Sequence, residues 1–126
     1  VEMSEKRLRK INTLRKDLPE PKYFGSKDPD IVFVGMGTTK NAVLDAITQS
    51  EKKIGYLHYQ YIYPLKFEKI LEMYEDGSRV VLIENNQTGE LGKLIKRECN
   101  FEFPEKLLKF DARPFFVEDI LDFLEQ

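Results

Sequence analysis

Glu84-Asn85-Asn86-Gln87 sets one carboxylate beside three amides, directly after the apolar run Val80-Val81-Leu82-Ile83. A carboxylate serves as a general acid or base when its neighbours tune its proton affinity, usually through a second titrating group. Amides do not titrate, so Glu84 is better suited to hydrogen-bonding loop backbone than to moving protons. Gly35-Met36-Gly37-Thr38-Thr39-Lys40 begins like a dinucleotide-binding turn, whose glycines bring backbone N–H groups close to a diphosphate. Lys40 stands where the third glycine belongs, no acidic residue closes a well-formed following strand, and the Gly-Lys-Ser/Thr ending of a P-loop is missing. The stretch therefore reads as a tight turn in which Thr38 or Thr39 caps a helix.

His58 is the single histidine and Cys99 the single cysteine, and neither has the His or Cys neighbours of a metal site or thiol nucleophile. His58 is expected as a satisfied strand histidine, and Cys99 as a structural thiol at a helix end. Tyr56, Tyr59, Tyr61 and Tyr63 could stack a planar ligand, yet rings spaced along a strand usually pack on adjacent helices, and that is the expectation here. Residues 4–18 set Leu8, Ile11 and Leu18 among Lys6, Arg7, Arg9, Lys10, Arg15 and Lys16. This basic helix has a thin apolar stripe and no interleaved aromatics, which favours a connecting helix over nucleic-acid or membrane contact.

The elements that position these groups follow from periodicity. Ile31-Val32-Phe33-Val34 and Val80-Val81-Leu82-Ile83 are apolar on both faces, as strands sandwiched between helix layers must be. They should be adjacent and central. The tyrosine-rich run 54–63, stopped by Pro64, is a third strand nearer the edge, and residues 106–110 a short last strand. Lys22 to Asp30 reads as an edge strand or extended linker after Pro19 and Pro21. Helical stripes follow each parallel strand: Val43, Ala46 and Ile47; Phe67, Ile70, Leu71 and Tyr74; Leu91, Leu94 and Ile95; Val117, Ile120, Leu121 and Leu124. Thr88 can cap the third of these helices, while Gly89 and Gly92 permit close backbone approach. Four βα units in succession demand a three-layer α/β/α sandwich with a mostly parallel sheet of four to five strands.

A chain of 126 residues with 41% hydrophobic and 12% aromatic content is an ordinary globular domain. We divide it into a basic linker helix and extended lead-in, 1–29, and an α/β domain, 30–126. A net charge of −2 argues against a general nucleic-acid partner, and no apolar run reaches the roughly 18 residues of a membrane span. With one cysteine and no leader pattern, the expected setting is cytoplasmic. The start at Val1 rather than Met fits a piece of a longer polypeptide or a processed end.

Taken in order and spacing, KRLRKI, DIVFVGMGTTKNAV, GYLHYQYIYPLKFEKI, VVLIENNQTGELGKLI and KFDARPFFVEDI resemble the C-terminal domain of the α subunit of 2-oxoacid:ferredoxin oxidoreductases, a transketolase C-terminal-like domain. The resemblance covers nearly the whole chain. The family usually has Gln where Glu90 stands and Gly where Ala112 stands before Arg113, which leaves the substrate branch open. The resemblance implies a parent enzyme that oxidatively decarboxylates a 2-oxoacid, of the pyruvate or 2-oxoglutarate type, to acyl-CoA while reducing ferredoxin. Its thiamine diphosphate, magnesium and iron–sulfur clusters, with coenzyme A as co-substrate, are held outside the part represented here. The implied partners are the N-terminal thiamine-binding domain of the same subunit, the β subunit and, through the parent, ferredoxin, in a homo- or hetero-oligomer without nucleic acid or membrane. No catalytic, cofactor-binding or metal-binding residue is implied for this chain, and alone it is expected to be inactive.

A parallel sheet gathers the loops after its strands at one end. Those loops supply Gly37, Thr38, Tyr63, Pro64, Glu84, Asn85, Asn86 and Arg113, the candidate docking rim. The alternatives are an independent small-molecule or nucleotide-binding regulatory α/β domain, which would place its ligand at the same end, and a free-standing interaction protein.

Overall fold

The computed structural model describes residues 21–37, 39–60, 67–84, 90–109 and 114–125. At its centre lies strand β2 (Ile31–Met36), buried along its first five residues. Its apolar side chains on both faces need cover on both sides, and parallel strands flank each of its edges. On one edge is β3 (Ile54–Tyr59), with Phe33 opposite Tyr56, and on the other β4 (Arg79–Glu84), with Phe33 opposite Val81. β1 (Lys22–Gly25) adds antiparallel to β3, and β5 (Glu105–Leu108) adds parallel to β4. The order is β1-β3-β2-β4-β5.

The two most apolar runs are adjacent and interior, as their sequence predicts. β3 is second from the edge and buried at all six positions, because β1, formed by the lead-in residues, takes the edge itself. β3 is assigned only as far as Tyr59, and residues 61–63 of the expected run lie outside the described residues. β5 starts one residue earlier than the pattern suggests, and Phe110 is likewise outside.

Four helices follow the four parallel strands: α1 (Thr39–Gln49), α2 (Glu68–Glu75), α3 (Glu90–Cys99) and α4 (Val117–Leu124). Alternation along the strands splits the core in two. Phe33, Tyr56, Val81 and Ile83 pack with Ala42, Val43 and Ala46 of α1 and Ile120 and Leu124 of α4. Val34, Leu57 and Leu82 pack on the opposite face with Ile70 of α2 and Leu91, Leu94 and Ile95 of α3. The result is the predicted three-layer α/β/α sandwich. Each fully buried side chain such as Leu82 or Ile83 contributes about 1.5–3 kcal/mol of transfer free energy.

Local chemistry sets the element ends. α3 stops where Asn100 takes a left-handed φ of 60° and its N–H reaches Lys96 O at 2.7 Å. At the opposite end of the sheet from the strand C-termini, Ser78 Oγ donates to Pro29 O (2.8 Å) and Arg79 N to Asp30 O (2.9 Å), tying the starts of β2 and β4 together. The basic helix expected over 4–18, the Thr88 cap and Gly89 fall outside the described residues. Among the described residues, no helix is long and apolar enough to cross a membrane.

Candidate functional site

β2 ends in a turn at Gly37, whose φ of 70° suits glycine and whose carbonyl accepts a 3.4 Å hydrogen bond from Lys40 N. Gly35, two residues earlier, is required for a different reason. A Cβ there would lie 2.8 Å from Ile83 O and 2.9 Å from Thr39 Oγ1, so a bare α-carbon is what lets the start of α1 sit on the strand end. Of the two expected caps, Thr39 does not serve. Thr39 is the first residue of α1, buried, and its hydroxyl donates backwards to Met36 O (3.1 Å) instead of accepting from the helix's free N–H groups. Thr38 lies outside the described residues.

The Thr39 hydroxyl also meets Tyr56 Oη at 3.1 Å, and Tyr56 Oη meets His58 Nδ1 at 3.0 Å. The Tyr56 ring is wholly buried and stacks on Phe24, with Lys40 Nζ 5.0 Å above the Phe24 ring. Burial pushes the Tyr56 phenol up to about 12, against a smaller downward pull from the Thr39 hydrogen bond. His58 is only 8% exposed, and burial, then the cations Lys40 and Lys22, hold its imidazole below the usual value. The expectation of a satisfied strand histidine holds, as does core packing for Tyr56 and Tyr59. Tyr61 and Tyr63 lie outside the described residues. The link to Thr39 was missed in the sequence. Tyr56 and His58, two apart on a strand, share a face and were legible as a pair, whereas the Thr39 contact appears only once β3 pairs with β2.

At the end of β4, the Glu84 carboxylate accepts hydrogen bonds from Leu91 N (2.8 Å) and Gly92 N (3.4 Å), in the first turn of α3. A carboxylate suits this place because the first N–H groups of a helix lack internal partners and carry partial positive charge. The backbone-bonding role read from its amide neighbours is what the structure shows. Glu84 is, however, only 4% exposed, so it holds the helix start from inside and does not present itself as a surface contact. A Cβ on Gly92 would come 2.6 Å from Leu82 Cδ2 of the strand beneath.

Of the other candidate rim residues, Gly37 is exposed, and Thr38, Tyr63, Pro64, Asn85, Asn86 and Arg113 lie outside the described residues. The structure adds two groups beyond the end of β5. Lys109 Nζ pairs with Asp119 Oδ2 at 2.9 Å and lies 5.2 Å from the Phe116 ring centroid, and Phe116 is 55% exposed. A single exposed Phe beside a buried one, Phe115, carries no periodic signal, so sequence reading passed it over. Among the described residues no cluster of His, Cys, Asp or Glu could hold a metal ion. A cavity of about 510 Å³, lined in part by Asp30, Lys69, Glu72 and Asp76, opens at the opposite end of the sheet, where the strands begin.

No family model matches this sequence. Subunit α of 2-oxoacid:ferredoxin oxidoreductase 1 from Aeropyrum pernix is 29% identical over 128 residues, covering 95% of this chain and 20% of its own length. Subunit α of 2-oxoacid:ferredoxin oxidoreductase from Saccharolobus solfataricus is 24% identical over 124 residues, covering 94% of this chain and 20% of its own. The chain thus spans about a fifth of the length of these curated relatives. Two solved structures share the fold. A 2-oxoglutarate:ferredoxin oxidoreductase from Magnetococcus marinus matches 98% of this chain and 22% of its own at a TM-score of 0.79 and 20% identity. The alpha chain of a probable 2-oxoacid ferredoxin oxidoreductase from Thermoplasma acidophilum matches 84% of this chain and 94% of its own at a TM-score of 0.55 and 24% identity.

Proposed function

We infer, from the premise that this chain is homologous to the C-terminal part of 2-oxoacid:ferredoxin oxidoreductase α subunits, that it is a non-catalytic domain whose strand-end rim docks the rest of such an enzyme. In this reading the parent oxidatively decarboxylates a 2-oxoacid to acyl-CoA and reduces ferredoxin. Thiamine diphosphate, magnesium, iron–sulfur clusters and coenzyme A are bound by its other parts, the N-terminal domain of the α subunit and the β subunit among them. Residues 1–29 serve as linker and edge strand, and 30–126 as the domain proper. A chain with a single cysteine suits a cytoplasmic setting.

One observation carries the reading: similarity runs through 95% of this chain yet occupies 20% of the relative's length. A domain that makes up a fifth of a subunit must bury part of its surface against the remainder, and directional polar groups around an aromatic suit such a contact. Gly37, Thr38, Tyr63, Pro64, Asn85, Asn86 and Arg113, joined by Phe116 and Lys109, form the docking rim, with Glu84 beneath it. The test is made in the full enzyme carrying R113A or F116A. Assembly is measured by solution mass and turnover by 2-oxoacid-dependent reduction, with the melting temperature of the isolated domain as control. Docking predicts weaker assembly or lower turnover while the domain's own stability moves by no more than about 0.5 kcal/mol, the usual range for surface changes. Unchanged assembly and turnover in both variants reduces the rim to ordinary surface. Calorimetry of the isolated domain should give no heat with thiamine diphosphate, and micromolar binding there would defeat the non-catalytic assignment.

A further inference from the structure

We propose that a one-way chain of hydrogen bonds, from His58 Nδ1–H to Tyr56 Oη, from Tyr56 O–H to Thr39 Oγ1 and from Thr39 O–H to Met36 O, fixes neutral His58 in a single tautomer and makes Nε2 the accepting atom of the ring. Counting protons leads to this result. A carbonyl only accepts, so Thr39 commits its one hydroxyl proton to Met36 O at 3.1 Å. The 3.1 Å contact between Thr39 Oγ1 and Tyr56 Oη must then use the phenol's proton. Tyr56 has no second proton for the 3.0 Å contact with His58 Nδ1, and that nitrogen must carry the hydrogen itself. The side chain of Tyr56 is wholly buried, so its hydroxyl satisfies itself within the protein, and its raised pKa keeps the phenol protonated at neutral pH.

This arrangement decides what His58 can recognise. With hydrogen on Nδ1, the neutral ring offers a lone pair at Nε2 and takes an N–H or O–H donor, not a bare carboxylate or phosphate. Among the described residues, the ionisable neighbours are Lys22 from β1, Lys40 from α1 and Tyr56 from β3 itself. The two lysines oppose a positive ring, while the phenol is neutral and indifferent to it. When a proton does bind at low pH it goes to Nε2, and the chain through Tyr56 and Thr39 stays intact. Because His58 occupies the penultimate position of β3, the accepting ring belongs to the strand-end side of the sheet. The inference goes beyond the docking reading and does not depend on it.

His58 is the only histidine, so nitrogen-15 spectra of the labelled 126-residue chain report it without assignment. Long-range proton–nitrogen correlations at neutral pH should show the hydrogen on Nδ1, the opposite of the form a solvent-exposed histidine side chain favours. In T39V, Tyr56 regains a proton to give, donates it to Nδ1, and the histidine hydrogen shifts to Nε2, inverting the pattern through a residue that does not touch the ring. In Y56F the Nδ1–H loses its acceptor and the pattern should invert as well, which keeps the proposal testable if one variant fails to fold. A native spectrum with hydrogen on Nε2 overturns the proposal. So does an Nδ1–H pattern that persists in a folded T39V or Y56F chain.

Discussion

Glu84 answers to α3 and not to solvent, and its substitution should behave accordingly. Its bonds to Leu91 N and Gly92 N are charge-assisted, and removing a buried acceptor leaves those donors without a partner. E84A should lower stability by about 1–3 kcal/mol in urea unfolding, while E84Q, which keeps one amide oxygen as acceptor, should lose less. A loss below about 0.5 kcal/mol in E84A would show that the helix start needs no such brace. His58 gives the pH dependence its sign. Its folded value lies below the ordinary 6.5, so the unfolded chain takes up the proton first. That contribution to stability is complete above 6.5 and is lost as pH falls through the lowered folded value. The urea midpoint should therefore drop as pH falls below 6.5, and H58Q should flatten that part of the curve. Reading Glu84 as a backbone partner was possible from its amide neighbours. Its burial was not, since a polar run after a strand looks the same whether a helix folds over it or leaves it bare.

Two glycines at the strand–helix junctions differ in what an added methyl would strike. At Gly35 the nearest atom is a backbone oxygen, Ile83 O, which cannot swing away. At Gly92 it is Leu82 Cδ2, the end of a side chain with other rotamers to adopt. G35A should cost about 1–3 kcal/mol through overpacking. G92A should come out near zero, because Ala gains about 0.8–1 kcal/mol of helix propensity against the cost of moving Leu82. Thermal unfolding of the pair checks this, and equal losses would mean that the junctions are equally tight. The glycines themselves stand out in the sequence, but not which of them faces a rigid neighbour. Strands β2 and β4 were legible for a physical reason: each runs apolar on both faces, a pattern that neither a helix nor an edge strand sustains. The helices were legible from their stripes. Less of the rim could be read, because loop residues owe their positions to elements far apart in the chain and show no period.

The sheet order reads β1-β3-β2-β4-β5, so the central strand, β2, has its two neighbours later in the chain than itself. The order could not be derived from the strands alone, although their adjacency at the centre could, since only the interior of a sheet hides two apolar faces. During synthesis the order becomes a schedule. The ribosome delivers β1, β2 and β3 first, and these can form a three-stranded sheet at once, with β1 closing one side. The other side of β2 stays open until residues 79–82 arrive, because Ile31, Val32, Phe33 and Val34 pair there with Arg79, Val80, Val81 and Leu82. A fragment of residues 21–78 should therefore aggregate in a light-scattering assay at concentrations where the whole chain stays clear, through an apolar edge that mature strands cover. A soluble, monomeric fragment would show that the edge is protected in some other way. Translation itself thus has a vulnerable interval, bounded by the appearance of β3 and of β4, in which a slow codon or a pause would lengthen the exposure of the strand on which the finished domain is centred.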